Sequence, residues 1–229
     1  MAEPINLQSK EKLKSYTIYL PNLSKSREIK KIYIGYCKAE GSQHIASEYA
    51  IIKIQELIEN FQVKRIMEIG LGIGSIAGSL LNVNPNLKYL GTEANNFCLM
   101  ALTRNLKDVY PRLNIFSALK EVPKSDIFDI IVIDGKDPML ELISGFIAQN
   151  GIIVIEGDRL PQQKEILKFF PRHLFVHSIS DRKNKKISPF SPNHWQGGLK
   201  IIFVNPDLKQ KVWWLKEKLK TRIKYFYRT

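Results

Sequence analysis

The chain has little cysteine, no long apolar run and a deficit of acid. Only two cysteines, Cys37 and Cys98, stand among 229 residues, far apart and in no metal-ligating pattern. That excludes a disulfide-stapled scaffold and a paired-cysteine metal site, and it predicts buried, reduced thiols. No stretch approaches the roughly 18–20 apolar residues of a membrane-spanning helix. The start, Met-Ala-Glu-Pro-Ile-Asn, lacks the basic-then-apolar pattern of a secretory leader, so the expected location is the cytoplasm. Acidic residues number 22 against 35 lysines and arginines, a net charge of +13. Such a balance suits a nucleic acid, an anionic membrane surface or an acidic substrate, and it also serves solubility alone.

A hydrophobic fraction of 44% fits a globular protein with a full core. Residues 1–40 are basic and read as an N-terminal extension with two short strands, Ser15–Leu20 and Lys31–Tyr36, joined by a loop at Pro21–Arg27. A helical pattern starts near Gly41, with Ser42 as the expected cap and Ile45, Tyr49 and Ile52 at helical spacing. Strands then alternate with helices. The strand candidates are Val63–Ile69, Leu87–Glu93, Arg112–Phe116, Phe128–Asp134 and Gly151–Glu156. The helix candidates are Ser75–Leu81, Asn95–Val109, Met139–Ala148 and Pro161–Phe169. His173–Ile179 and Leu199–Val204 are two further strands with no good helix between them, so they are expected to pair antiparallel. The fold class predicted is α/β: a doubly wound, mostly parallel seven-stranded sheet ending in an antiparallel hairpin.

The most telling stretch is Glu68-Ile-Gly70-Leu-Gly72-Ile-Gly74, at the end of the first strand after the helix. Glycines let the backbone turn sharply and approach a ligand closely. Glu93 follows 23 residues after Gly70, at the end of the next strand, where a carboxylate accepts hydrogen bonds from ribose hydroxyls. A nucleoside-containing cofactor at the sheet edge is the expectation.

From about Ile45 to Val204 the chain resembles class I S-adenosylmethionine-dependent methyltransferases. The glycine run with Glu68 looks like their first motif, Glu93 matches the acid after their second strand, Asp134 matches the end of the fourth, and the terminal hairpin is similar to their reversed last strand. A nicotinamide-binding Rossmann domain is the competitor, but Ser75 stands where its third glycine belongs when counting from Gly70. The resemblance implies an S-adenosylmethionine site. Gly70, Gly72 and Gly74 would line the turn, Glu68 would contact the methionine end and Glu93 the ribose. Ala94, Ser117 and Ala118 would lie near the adenine. Asp134 would face the methionine end or the substrate.

The reaction implied is methyl transfer, with an oxygen of a small-molecule or glycan-like acceptor favoured. An RNA methyltransferase and a non-catalytic cofactor-binding scaffold are the alternatives. No Asn-Pro-Pro-Tyr-type motif follows the fourth strand, which reads Asp134-Gly-Lys-Asp-Pro138 and argues against an exocyclic-amine methylase. Asp134, His44 and His194 are the catalytic candidates. Cation-dependent O-methyltransferases place an aspartate after the fourth strand and an Asp-Asn pair after the fifth. Here Asp134 and Asp158 occupy those places as candidate Mg2+ ligands, with Arg159 replacing the asparagine.

Residues 41–206 are thus expected to form the cofactor-binding domain and 207–229 a basic amphipathic helix. In that helix Leu208, Val212, Leu215, Leu219 and Ile223 share one face among lysines. Three occupants stay open for that face: the chain's own domain or a homodimer mate, an anionic membrane, or RNA.

Overall fold

The computed structural model describes residues 22–157 and 159–228. The strand expected at 15–20 lies outside them. The strand expected at 31–36 is instead part of a helix, α1 (Leu23–Lys38), and of the loop expected before it residues 23–27 form that helix's first turn, while Pro21 lies outside the described residues. Asn22 caps α1 by accepting a hydrogen bond from the Ser24 N–H. Ile29, Tyr33, Tyr36 and Cys37 are buried, a helical spacing. The β-branched and aromatic residues of Ile32–Tyr36 resemble a strand locally, and the longer period overrides them.

A 3-10 turn (Ser42–His44) leads to α2 (Glu48–Phe61). Its cap is Ser47, whose Oγ accepts from the Ala50 N–H at 3.2 Å, and not Ser42. There follow β1 (Arg65–Ile69), α3 (Ser75–Val83), β2 (Lys88–Thr92), α4 (Asn96–Leu106), β3 (Leu113–Phe116) and β4 (Phe128–Ile133). The helix expected at 139–148 shrinks to a 3-10 turn and the single turn α5 (Ile143–Phe146). Ile147 and Ala148 already belong to β5 (Ile147–Glu156), which continues past a bulge alongside β4. The chain ends with α6 (Leu160–Phe169), β6 (Leu174–Ser178), β7 (Leu199–Phe203) and α7 (Leu208–Arg228).

The seven strands run in the order β3-β2-β1-β4-β5-β7-β6. β1 to β5 are parallel, and β7 lies antiparallel between β5 and β6. Strand alternation divides the core between two faces. Ile66, Ile130, Val132, Ile152 and Val154 face α1, α2 and α3, whereas Met67, Ile69, Ile131, Ile133, Ile153 and Ile155 face α5 and α6. Strand order reverses between β1 and β4, and at such a switch point the loops after the strands diverge and leave a crevice.

α7 docks on the sheet through polar groups around one tryptophan. Trp213 packs edge-on against Phe61 and Phe203, with ring centroids 6.0 and 5.6 Å apart. Glu217, buried, lies 3.1 Å from the Lys53 ammonium and accepts from the Ser178 hydroxyl. Lys53 also meets Glu56 at 2.7 Å. Burial pushes the Glu217 carboxyl up, but Lys53 and Ser178 outweigh it and hold it below the ordinary carboxylate value. Removing Glu217 leaves the buried Lys53 ammonium with Glu56 but without its second carboxylate, and takes the acceptor from the Ser178 hydroxyl. Glu217→Ala is therefore expected to cost about 3 kcal/mol, a fall in melting temperature of roughly 6–12 °C for a chain of this size. The depressed carboxyl stabilises the fold above its unfolded-state value, and that share is lost as pH falls through the lower folded value. The gap between wild type and variant in thermal melts should therefore narrow in acid.

Candidate active site

One large cavity, of about 830 Å³, opens at the carboxyl ends of β1 to β5. The glycine turn after β1 forms one wall. Gly70 adopts φ +85° and Gly72 φ +53°, left-handed conformations that side chains disfavour. A Cβ on Gly72 would stand 2.9 Å from the His44 carbonyl oxygen, so the bare backbone is what leaves this corner open. Gly74 lies outside the cavity: it caps α3, and a methyl there would collide with Leu102 and Leu106 of α4.

Glu93, after β2, faces the cavity and is fixed by three backbone donors. The Gly72 N–H donates to Oε2 at 2.8 Å, and the Ala94 and Asn95 N–H groups donate to Oε1 at 3.0 and 2.8 Å. A carboxylate held this rigidly keeps its remaining lone pairs aimed at incoming hydroxyls. Ala94 and Ser117 line the same space. Ala118 does not. Glu68 does not reach the cavity either: two residues after Ile66, its side chain takes the same sheet face and is fully buried, accepting from the Tyr89 hydroxyl at 2.5 Å. Burial drives its carboxyl well above the ordinary range.

The adjoining wall, at the ends of β4 and β5, carries the chemistry. Asp134 after β4 and Glu156 at the end of β5 both line the cavity, and their carboxyls hydrogen-bond to each other. Parallel pairing puts Ile133 beside Ile155, so the next residue of each strand is a carboxylate at the same level. Burial and the Glu156 charge push the Asp134 carboxyl up to about 8 against the pull of Arg159. Glu156 is raised by burial as well. Arg159 reaches across, donating to both the carbonyl and the carboxylate (3.3 Å) of Asp134. Sequence reasoning passed over Glu156. Its signal was Ile153-Val-Ile-Glu156, a repeat of Ile131-Val-Ile-Asp134 one strand along.

His44 and His194 also line the cavity, both solvent-exposed at its mouth, His194 in the loop between β6 and β7. Asp158, the second expected Mg2+ ligand, lies outside the described residues. Among the described residues no group of three metal-ligating side chains occurs. The carboxylate of Asp134 is already engaged by a guanidinium and a second carboxyl. Within the described residues the cation that the Asp134 carboxylate meets is the Arg159 guanidinium.

A nucleoside cofactor fits. The volume is at the upper end of the roughly 300–1,000 Å³ typical of small-molecule sites, enough for cofactor and acceptor together. The glycine corner and the anchored Glu93, after β1 and β2, and the carboxyl pair, after β4 and β5, all line it.

No protein-family model matches the chain, and no curated protein does. Solved structures do match over most of the chain. The O-methyltransferase TomG from Streptomyces achromogenes, solved with S-adenosylmethionine, is 12% identical with a TM-score of 0.54, over 80% of this chain and 91% of that one. An O-methyltransferase from Bacillus cereus, solved with S-adenosylhomocysteine, is 14% identical with a TM-score of 0.53, over 81% and 93%. The S-adenosylhomocysteine-bound methyltransferase PaMTH1 from Podospora anserina is 14% identical with a TM-score of 0.52, over 78% and 88%. The chain therefore has the Rossmann-like fold of class I methyltransferases, with the reversed β7 that the sequence predicted.

Proposed function

We propose that this protein is an S-adenosylmethionine-dependent methyltransferase acting on a hydroxyl oxygen of a small-molecule or glycan-like acceptor. The observation that carries the reading is one cavity lined by the Gly70–Gly72 corner, Glu93 and the Asp134–Glu156 pair together. In this reading Gly70 and Gly72 line the methionine and ribose end, Glu93 holds the ribose hydroxyls, and Ala94 and Ser117 flank the adenine. When bound, the cofactor supplies a methyl group activated by a positive sulfur. The protein has to align the acceptor, exclude water and take up the hydroxyl proton. The Asp134–Glu156 pair is the proton acceptor: a carboxyl raised toward neutral pH is a stronger base, once ionised, than an ordinary one. Arg159 positions Asp134, and His44 and His194 at the mouth contact the acceptor.

Titration calorimetry with S-adenosylmethionine should show binding to the wild type. Glu93→Ala should weaken it about 10- to 100-fold, the loss of charge-assisted hydrogen bonds to two hydroxyls. No binding to the wild type would end the methyltransferase reading. Methyl-labelled cofactor with a panel of hydroxyl compounds and sugars should then place label on oxygen. Binding without any transfer, including to RNA and to amines, would leave the cofactor-binding scaffold.

A further inference from the structure

α7 presents the face that sequence reasoning marked as apolar to solvent and not to the sheet. Its buried positions are Gln210, Trp213, Glu217 and Thr221. Leu208, Val212, Leu215, Leu219 and Ile223 point the other way and are between 38 and 57% exposed. At 100° per residue these five fall within a band of about 80° along a helix of 21 residues, roughly 32 Å long. Lys209, Lys216 and Lys220 border the band on one side, and Lys211, Lys218 and Arg222 border it on the other. The only acid in the helix is Glu217, which is buried against Lys53.

We infer that α7 is a membrane-docking helix whose outer face lies in the surface of an anionic lipid bilayer. The band supplies aliphatic side chains to the acyl boundary, and the two cationic rows lie level with the head groups. The charge pattern selects this occupant over the others. Two copies meeting band to band would set lysine rows against lysine rows, with no acid on the outer half of either helix to offset them. RNA would be served by the cations and by the exposed rings of Tyr225, Phe226 and Tyr227 in the last turns. The five aliphatic side chains that run the length of the band, however, offer nothing to phosphates or bases, whereas a bilayer takes aliphatic groups and interfacial aromatics alike. Polar anchoring of the inner face has the matching logic. The Glu217–Lys53 contact and Trp213 hold the helix to the domain without using its aliphatic residues. The last turn also meets the cavity: Arg228 stacks on Trp195 at 5.1 Å, in the loop that forms the cavity mouth. This inference does not depend on the methyltransferase reading.

The test is sedimentation of the full chain with phosphatidylcholine vesicles, with and without phosphatidylglycerol. The expected result is binding to the anionic vesicles alone, weakened by salt. The double substitution Leu215→Ser and Leu219→Ser should reduce it by on the order of a hundredfold, with an unchanged thermal melt because both side chains face solvent. Lys216→Glu with Lys218→Glu should abolish it as well. No sedimentation with either vesicle would overturn the inference, as would binding that the double serine variant retains. A dimer in solution dissolved by the serine changes would reassign the face to a second copy. RNA retention without vesicle binding would reassign it to nucleic acid.

Discussion

Gly70→Ala should leave a protein that no longer binds S-adenosylmethionine and is several kilocalories less stable. Gly70 and Gly135 meet backbone to backbone where the loops after β1 and β4 pass each other. A methyl on Gly70 would stand 2.6 Å from the Gly135 nitrogen and closer still to its Cα; one on Gly135 would stand 2.6 Å from the Gly70 Cα. Neither neighbour is a flexible side chain, so relief requires the two loops to separate. At φ +85° an alanine also carries left-handed strain. That strain costs about 1–2 kcal/mol and the overpacking about 1–3, together roughly 2–5 kcal/mol of a stability typically near 5–15. Urea unfolding at unchanged m-value should show the loss as a lower midpoint. The same two loops hold Gly72 and Asp134, so separating them opens both sides of the cavity. The control is Gly145→Ala in α5. Nothing lies within 4 Å of a Cβ there, so that change should be neutral or slightly stabilising. If Gly70→Ala unfolds at the same midpoint as wild type, the glycines are not there for close approach.

The fold was legible because its information is local and repeated. Each parallel strand is an apolar run closed by a turn, and all seven appear in the sequence within one or two residues of their ends, β5 excepted. What was lost depended on partners far away in sequence. Ile32–Tyr36 carries strand-forming residues, and only the burial of Ile29, Tyr33 and Tyr36 against α3 shows the helical period; Gly78, bare of a side chain, makes room for the Tyr36 hydroxyl. Ile147 and Ala148 would extend a helix by pattern, but pairing of Ile147 with Phe128 claims them for β5. Gly70, Gly72, Glu93 and Asp134 all line one cavity, because the ends of neighbouring parallel strands converge. Glu68 went astray for a reason of parity: the motif gave its place in sequence, whereas strand alternation turned its side chain onto Tyr89. Glu156 was missed because it belongs to no glycine motif. Only the register of β4 against β5 makes it the neighbour of Asp134. The amphipathic pattern of α7 was plain in sequence, but which side faces the sheet was not, because a buried Lys53–Glu217 contact, invisible to hydropathy, turns the helix over.

The Asp134–Glu156 pair predicts two pH profiles that share one titrating group and run in opposite directions. Burial first, then the Glu156 charge, raises Asp134 from 3.8 to about 8, with Arg159 opposing. An acid raised in the folded state binds its proton more tightly there than when unfolded. Its contribution to stability is therefore complete below pH 3.8 and is lost as pH rises through about 8. Asp134→Asn keeps the shape and the hydrogen bond to Glu156 but cannot ionise. The variant should equal or exceed wild type in urea midpoint near pH 8, and the downward slope of stability between pH 4 and 8 should flatten. Activity should run the opposite way. If Asp134 takes the hydroxyl proton, wild-type kcat/KM climbs with pH toward about 8 as the carboxyl ionises. Asp134→Asn should then lose roughly 10²–10⁴ in rate, the share general-base catalysis supplies, together with that rising limb. Glu156→Gln removes the neighbouring charge that raises Asp134, so its limb should move to lower pH with much of the rate retained. A structural role for the pair would alter stability in both variants and leave the shape of the rate profile unchanged. A limb that shifts in one variant and vanishes in the other requires Asp134 itself to carry the proton.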